Sequence, residues 1–419
     1  MGKYKGLAIG ILCSICAVSG PSVFALGFRN PDQDARATAQ GEAFVAQADD
    51  ASAIYYNPAG LTQVKGTQIT LSGDFLFRNV KFRGPSGSDN LDTFSLTPNF
   101  FAATDFGLQH WRFGLGVYIP FGNRMDWGSG PFSSLIRQSE LIVYDFAPTV
   151  AYQFNDHFSL GAGVNFYHGN TDLKFDYLPP SSPYYAFFPQ SRSEFMGDGD
   201  GIGATVGAMW KINEQHTIGA VYRSPFSINF QGNARNTDAG SFDARADASA
   251  EIKFPQEVAV GYAFRPIKKL KLEADVEWTN WENLDNVRLH SNNPIITGDP
   301  RSNIPFHWRD SFFYEGGAQY DLTDHWALRA GYIYSENSVP TSTFSPVLPD
   351  SNKHIFSAGF GYDSKGKAVL FSKAALRIDV AYQYTLALDR NVGTGVSPLV
   401  DGKWESSSHA VVLTSTVRF

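Results

Sequence analysis

The chain has 419 residues, of which 18% are charged and 15% aromatic, with 39 glycines and a formal charge of −7. Charged residues fall below the roughly 25% usual in soluble globular proteins, and a slightly negative mean hydropathy accompanies the aromatic enrichment; this suits β-structure with one wet face better than a cytosolic enzyme. Beyond the N-terminal segment no apolar run approaches the ~20 residues of a membrane helix, which excludes a helical membrane protein, and the acidic balance disfavours nucleic acid as a partner.

Residues 1–25 read as a secretory signal peptide, with Lys3 and Lys5 as its basic start, Leu7 to Val18 as its apolar stretch and Val23-Phe24-Ala25 as its cleavage site. The mature chain is therefore expected to begin at Leu26. Cys13 and Cys16 lie in the removed segment, so no disulfide, metal or other cofactor is expected. Removing Lys3 and Lys5 leaves 32 basic against 41 acidic residues. Residues 26–66 follow, rich in small side chains (Ala35, Ala37, Ala39, Gly41, Ala43, Ala46, Ala48) and without strand alternation. About 40 residues cannot build an independent core, so this segment is expected as a hatch inside a larger structure.

From Thr67 to Phe419 the sequence alternates with the two-residue period of a strand that has one apolar and one polar face. In the first segment Ile69, Leu71, Phe75 and Phe77 alternate with Gln68, Thr70, Ser72 and Asp74; in the last, Val411, Leu413, Val417 and Phe419 share one parity. Twelve more segments lie near 98–106, 112–120, 140–154, 158–175, 199–212, 217–230, 251–264, 270–289, 310–322, 325–336, 352–363 and 374–387. Short polar turns, such as Asn155-Asp156-His157 and Thr323-Asp324, alternate with long connections at 78–97, 121–139, 176–198, 231–250, 290–309, 337–351 and 388–404. That asymmetry predicts an all-β fold, a 14-stranded antiparallel transmembrane β-barrel (67–419) in a bacterial outer membrane, with short turns and both chain ends on the periplasmic side. Aromatic residues at strand ends, among them Trp278, Trp326, Tyr332 and Tyr334, fit the interfacial girdles of such a barrel. The terminal Phe419 is similar to the end signal of outer-membrane proteins, which makes the outer-membrane assembly machinery an expected partner.

The run Ile54-Tyr55-Tyr56-Asn57-Pro58-Ala59-Gly60-Leu61 resembles the Asn-Pro-Ala motif that ends the plug of the FadL family, outer-membrane transporters of long-chain fatty acids and other hydrophobic compounds, including aromatic hydrocarbons. Leu26-Gly27-Phe28, Phe158-Ser159-Leu160-Gly161-Ala162-Gly163 and Leu328-Arg329-Ala330-Gly331-Tyr332 support it, and the resemblance covers essentially the whole mature chain. It implies a hatch-plugged, monomeric barrel that passes fatty acids or similar compounds by diffusion and releases them laterally into the bilayer. Capture would occur outside, against a polar lipopolysaccharide layer that apolar molecules cross slowly.

Several residues are candidates for that chemistry. The loop 176–198 carries Tyr184, Tyr185, Phe187 and Phe188, an aromatic cluster that marks either a binding surface or an extension of the girdle; the resemblance favours first capture of ligand. Alternation across 309–319 puts Arg309 in the lumen set, where it either clamps a carboxylate or pairs with a hatch carboxylate such as Asp49 or Asp50. The resemblance also gives a basic residue here, and a second one near Lys174 and Phe175. Phe28 matches a phenylalanine that reaches the family's ligand pocket. Asn57, Pro58 and Ala59 form a defined turn, because proline fixes φ and asparagine bonds its own backbone, and the resemblance makes them a gate element. Gly114, Gly116 and Pro120 share the lumen parity of the third segment and weaken a ladder; the resemblance implies a strand bent to open the wall, and making room for the plug is the alternative. Gly197 to Gly203 is similar to a phosphate or calcium loop but reads as a strand start, since no helix follows. With no G-x-S-x-G or H-E-x-x-H and nine scattered histidines, an enzyme is not expected. An outer-membrane lipid-modifying enzyme, with a site assembled from distant strands, is the alternative of a different class, and a general porin the alternative in the same location.

Overall fold

The computed structural model describes residues 27–128, 130–177, 192–237, 243–365, 374–393 and 397–419. Fourteen antiparallel membrane strands make one closed sheet. The first six are β1 Thr67–Gly84, β2 Gly87–Thr104, β3 Trp111–Asp126, β4 Gln138–Gln153, β5 Phe158–Phe175 and β6 Arg192–Lys211. β7 runs as His216–Arg223 then Phe226–Thr237, and β8 as Ala244–Phe254 then Glu257–Ile267. Each is interrupted at a proline, Pro225 or Pro255, which cannot donate to a ladder. β9 is Leu270–Thr279, continued beyond a 3₁₀ turn by Asn286–Ser291, and β10 to β14 are Ser311–Asp321, Trp326–Ser335, Lys353–Asp363, Ala375–Ala387 and Gly402–Arg418. β1 pairs with β14 from Gln68↔Arg418 to Arg83↔Lys403, which removes both sheet edges. Hydrocarbon tolerates only such closure or a helix, because it offers backbone groups no partner.

Alternation places Thr70, Ser72 and Asp74 inside, buried, and Leu71 and Phe77 outside, exposed. Exposed Trp111, Phe154, Trp210, Tyr320 and Trp326 gather at the ends of strands near the short turns, with Tyr314 and Tyr332 toward the other rim, as two interfacial girdles require. The expected loops at 78–97 and 231–250 are instead mostly strand. β1 and β2 stay paired up to Gly84↔Gly87, and β7 and β8 up to Asn236↔Ala244. Above the bilayer the outward face turns polar and the apolar residues, such as Val80 and Phe82, turn inward, so the apolar parity inverts while backbone pairing continues. Gly197 to Gly203 lies within β6, as a strand reading required.

Apart from Gly27 and Phe28, residues up to 66 fill the inner half of the lumen. They form α1 Ala35–Ala39, α2 Ala53–Tyr56 and a 3₁₀ turn Pro58–Gln63, and nearly all are buried. The small side chains allow contact with the wall at backbone distance. A Cβ on Gly331 would lie 2.0 Å from the Gly41 nitrogen, and one on Gly161 would lie 2.3 Å from the Pro58 carbonyl carbon.

One part of the wall departs from the ladder. β2 and β3 pair only from Phe100↔Val117 to Thr104↔Phe113, and β3 shifts register against β4 between Tyr118 and Phe121. Ile119 to Gly122 bend inward and are buried. Their lost partner is replaced by the start of the hatch, since the Asn30 N–H donates to the Pro120 carbonyl (2.7 Å) and the Gly122 N–H to the Phe28 carbonyl (2.7 Å). The neighbouring β4–β5 ladder skips Ala147 and Pro148. Pro98 on β2 and Pro120 on β3 lie at this break, whereas Pro148 on β4 pairs with Leu115, where β2 and β3 are still paired.

Candidate functional site

The inward bend of β3 brings Phe121 into a chamber of rings in the outer half of the lumen. Phe28, held there by its backbone pairing to β3, has its ring centre 5.1 Å from Trp308, 5.9 Å from Phe306 and 6.4 Å from Trp281. Phe121 lies 5.0 Å from Phe254 and 6.4 Å from Trp281, and Phe226 stacks on both Tyr167 and Phe254. Gly27 precedes Phe28 with φ +68°, and a Cβ there would come within 2.3 Å of the Trp281 ring. Glycine alone combines that backbone with that approach. This is one continuous apolar cluster, which also includes Phe82, Phe132 and Trp404.

Below the chamber the lumen is charged. Four successive lumen-facing residues of β9 each hold the hatch. Lys271 bonds Asp49 (2.9 Å), and Glu273 accepts from the Ala46 and Gln47 N–H groups (2.5 and 3.2 Å). Asp275 accepts from Phe44 and Val45 (both 2.9 Å), and Glu277 binds Arg29 (2.6 Å). A second network joins Arg36 to Asp49 and Asp50 (both 2.7 Å), and Arg377 and Arg329 to Asp379. Burial opposes ionisation of Asp49, but Arg36 and Lys271 outweigh it and hold its carboxyl well below the ordinary carboxylate range. Burial, reinforced by Asp50 and Asp379, pushes Asp34 up to about 7. Burial and the facing Asp32 likewise push Glu42 well above the usual value. Among the described residues no group of three or more His, Cys, Asp or Glu is placed to hold a metal ion.

The residues singled out from sequence divide between these zones. Phe28 stands in the chamber. Asn57, Pro58 and Ala59 sit in the charged half. The Asn57 carboxamide accepts from Ala59 N–H (3.1 Å) and donates to the carbonyls of Val45 (2.8 Å) and Ala208 (3.1 Å), which fastens the hatch to β6. Gly114 and Gly116 face the hatch, where added Cβ atoms would lie 2.8 and 3.0 Å from Ile54, so these glycines make room for the plug, while Pro120 sits at the register shift itself.

Arg309 differs from expectation. It is exposed rather than part of the buried lumen set, because the β10 ladder begins only at Ser311 and the chain turns at His307 (φ 46°), so strand parity does not extend back to it. Nor does it pair with Asp49 or Asp50, which bind Arg36, Lys271 and Arg377. Lys271, the partner of Asp49, is level with Gln319, well along β10 from its start at Ser311. Lys174 points outward and pairs with Asp172 (2.6 Å), while Phe175 is buried in the apolar cluster. Tyr184, Tyr185, Phe187 and Phe188 lie outside the described residues, as does the expected cleavage site. Trp281, Phe306, Trp308 and the β9 charges were not anticipated. The last had a visible signal, Lys271-Leu272-Glu273-Ala274-Asp275-Val276-Glu277, a strand whose lumen face is entirely charged.

A closed barrel with lipid-facing apolar parity, a plugged lumen and an aromatic chamber beside a gap in the wall defines an outer-membrane transport barrel. The family described as "Outer membrane protein transport protein (OMPP1/FadL/TodX)" matches residues 16–419, and the chain belongs to it. Its members are outer-membrane transporters of hydrophobic compounds. A putative outer membrane protein of Neisseria meningitidis serogroup B is 26% identical over 83% of this chain and 84% of its own. A long-chain fatty acid transport protein of Escherichia coli is 20% identical over 75% and 78%. Among solved structures, a Pseudomonas aeruginosa FadL homologue superposes with a TM-score of 0.82 at 20% identity, over 94% of this chain and 100% of that one. The Pseudomonas putida toluene transporter TodX gives 0.69 at 20%, over 91% and 96%.

Proposed function

We propose that this protein imports long-chain fatty acids or similar hydrophobic compounds by diffusion, from the outer aromatic chamber through the gap between β2 and β3 into the bilayer. The observation that supports this reading is that one segment, Ile119 to Gly122, makes both features: its inward bend leaves β2, and its Phe121 lines the chamber. A ligand bound against Phe28 is therefore already beside the wall opening. Transfer of a long acyl chain out of water gains about 0.8 kcal/mol per methylene, which drives both capture and release into lipid without an energy source. The loop around Tyr184, Tyr185, Phe187 and Phe188 would make first contact, and the Asn57-Pro58-Ala59 turn would keep the hatch seated while cargo leaves sideways. In this reading no covalent step occurs and residues 26–66 remain a plug.

Arg309 is proposed as the partner of a carboxylate head at the chamber rim, since it adjoins Trp308, whose ring touches that of Phe28. Neutral aromatic hydrocarbons are the second reading. It is favoured by the chamber's ring-lined wall and by Arg29, the cation next to Phe28, being held already by Glu277 and Glu257. Uptake of labelled oleate against labelled toluene, in cells lacking their own transporter, decides between them. Uptake of neither, with conduction of ions and sugars, would replace both by a porin.

A further inference from the structure

Three irregularities of the wall meet at one cavity. The register shift of β3 gives it Tyr118, Pro120 and Phe121, the break of β7 at Pro225 gives it Arg223 and Phe226, and the break of β8 gives it Pro255 and Glu257. It lies between the ring chamber, with which it shares Phe121 and Phe226, and the hatch, which contributes Arg29 and Tyr55. Its volume is about 10 Å³, room for one water-sized group and not for a ring.

A polar row crosses β3 to β5 at this cavity. Tyr118 stands in register with Asp145, and Asp145 with Tyr167, so one carboxylate is flanked by two phenols on the lumen face. All three side chains line the cavity and are more than nine-tenths buried. Asp145 is held from behind, because the Asn165 carboxamide donates to its Oδ2 (2.7 Å) and itself accepts from the Thr205 hydroxyl (2.9 Å). Its Oδ1 has no hydrogen-bond partner among the described residues, nor has the Tyr167 hydroxyl. The two cations of the cavity do not supply one. Arg29 and Arg223 are both matched to Glu257, at 3.4 and 3.0 Å, and among the described residues no cation lies within ion-pair distance of Asp145. A buried carboxylate oxygen without a donor costs stability, so its place beside the chamber points to a donor brought by the ligand.

We infer that this row is a subsite for the hydroxyl of an otherwise apolar cargo, a phenol or an alcohol, whose hydrocarbon body lies against Phe121 and Phe226. One hydroxyl can donate to Asp145 and accept from Tyr167 at once. A carboxylate only accepts, and it would face the charge of Asp145. An ammonium only donates, and it would share the cavity with Arg223. A plain hydrocarbon does neither. The inference rests on the proposal that the ring chamber holds apolar compounds, and it names the polar substituent such a compound can carry.

The test is saturation binding of radiolabelled 4-ethylphenol, ethylbenzene and 4-ethylbenzoate to the full chain in lipid nanodiscs, with empty discs subtracted. The phenol should bind at least as tightly as the hydrocarbon, although water holds a hydroxyl more strongly, and about tenfold or more tighter than the benzoate. Asp145→Leu, which removes the acceptor, should lower the ratio of phenol to hydrocarbon affinity about tenfold or more, and Tyr167→Phe, which keeps the stacked ring, about threefold. Heat-dependent gel migration reports whether each barrel has folded, and Tyr167→Phe decides alone if Asp145→Leu has not. A parent that binds the phenol more weakly than the hydrocarbon, or a ratio unmoved in the folded variants, overturns the subsite and leaves the import of apolar compounds standing. Benzoate bound as tightly as the phenol overturns recognition of a hydroxyl. Binding of none of the three removes small aromatics as cargo and this inference with them, while the uptake of oleate remains a separate result.

Discussion

The two halves of the lumen solve opposite problems with the same wall. In the outer half Phe28, Phe121, Trp281 and Trp308 gather as rings, Phe28 edge to face with Trp281 and tilted against Trp308, and Trp281 edge to face with Phe121 and Trp308. In the inner half the same strands turn inward Glu273, Asp275, Glu277, Arg329 and Asp379, each matched to a hatch group or a neighbour. Apolar contacts are non-directional and tolerate exchange of one partner for another. Buried charge-assisted bonds are directional, and breaking one leaves an uncompensated charge that costs several kcal/mol. The binding of varied apolar cargo proposed for the outer half suits the first, and a plug held in one position suits the second.

Five perturbations test that contrast. Deleting residues 27–66 should have the largest effect, since the inner wall would face water across an open lumen; planar-bilayer recordings should show a stable pore where the parent is nearly silent, and a silent deletion would mean that something else closes the barrel. Next, Glu273→Gln with Asp275→Asn weakens four backbone-to-carboxylate bonds, each worth about 1.5–3 kcal/mol when charged. Hydrogen exchange of the Phe44 to Gln47 amides should accelerate at least about a hundredfold, with the Phe28 region unaffected.

Acidity should act on the same half alone. Asp34 is raised from 3.8 to about 7, so its contribution to the seated hatch is complete below pH 3.8 and lost as pH rises through 7, while the depressed Asp49 contributes above its ordinary range and loses that contribution only in strong acid. Exchange of the Ala35–Ala39 amides, corrected for intrinsic rates, should therefore increase between pH 5 and 8, and Asp34→Asn should flatten that rise. In the chamber, Trp308→Ala should weaken binding of apolar ligands by about tenfold, roughly 1.4 kcal/mol of lost contact, with hatch exchange unchanged. Smallest is Arg309→Ala. An exposed pair contributes about 1 kcal/mol or less, so calorimetry should show at most about a fivefold loss for oleate and none for oleyl alcohol; equal losses would point to a structural role.

How much of this could be read from the sequence follows from what each half is made of. Alternation with period two is a local signal, so the strands and their lipid-facing parity were legible, and β1 does begin at Thr67. The signal is hydrophobic, however, while the ladder is made of backbone. From Arg78 to Gly84 the apolar residues switch to the lumen face, as Val80 and Phe82, while pairing runs on, so a search for one continuous apolar parity misses the strand end. The hatch was legible because Asn57-Pro58-Ala59 is a local turn. The chamber was not, because Trp281, Phe306 and Trp308 come from irregular connections around β9 and β10, where no periodicity announces which ring turns inward. Arg309 fails for a related reason, since parity was carried two residues past the point where the ladder exists. The charged face of β9 was visible but mute, as alternation shows that a face is wet without showing that it is occupied.

The gap between β2 and β3 bears on the cost of keeping a hole in a membrane wall. A torn ladder in hydrocarbon would strand donors, each at several kcal/mol. Here the tear is hemmed. Pro98 and Pro120 have no N–H to strand, and the Gly122 N–H goes to the Phe28 carbonyl. The β3 side of the break is thus capped by proline and by the hatch. If cargo leaves here, as proposed, its passage would be set by its own diffusion rather than by a ladder that must open.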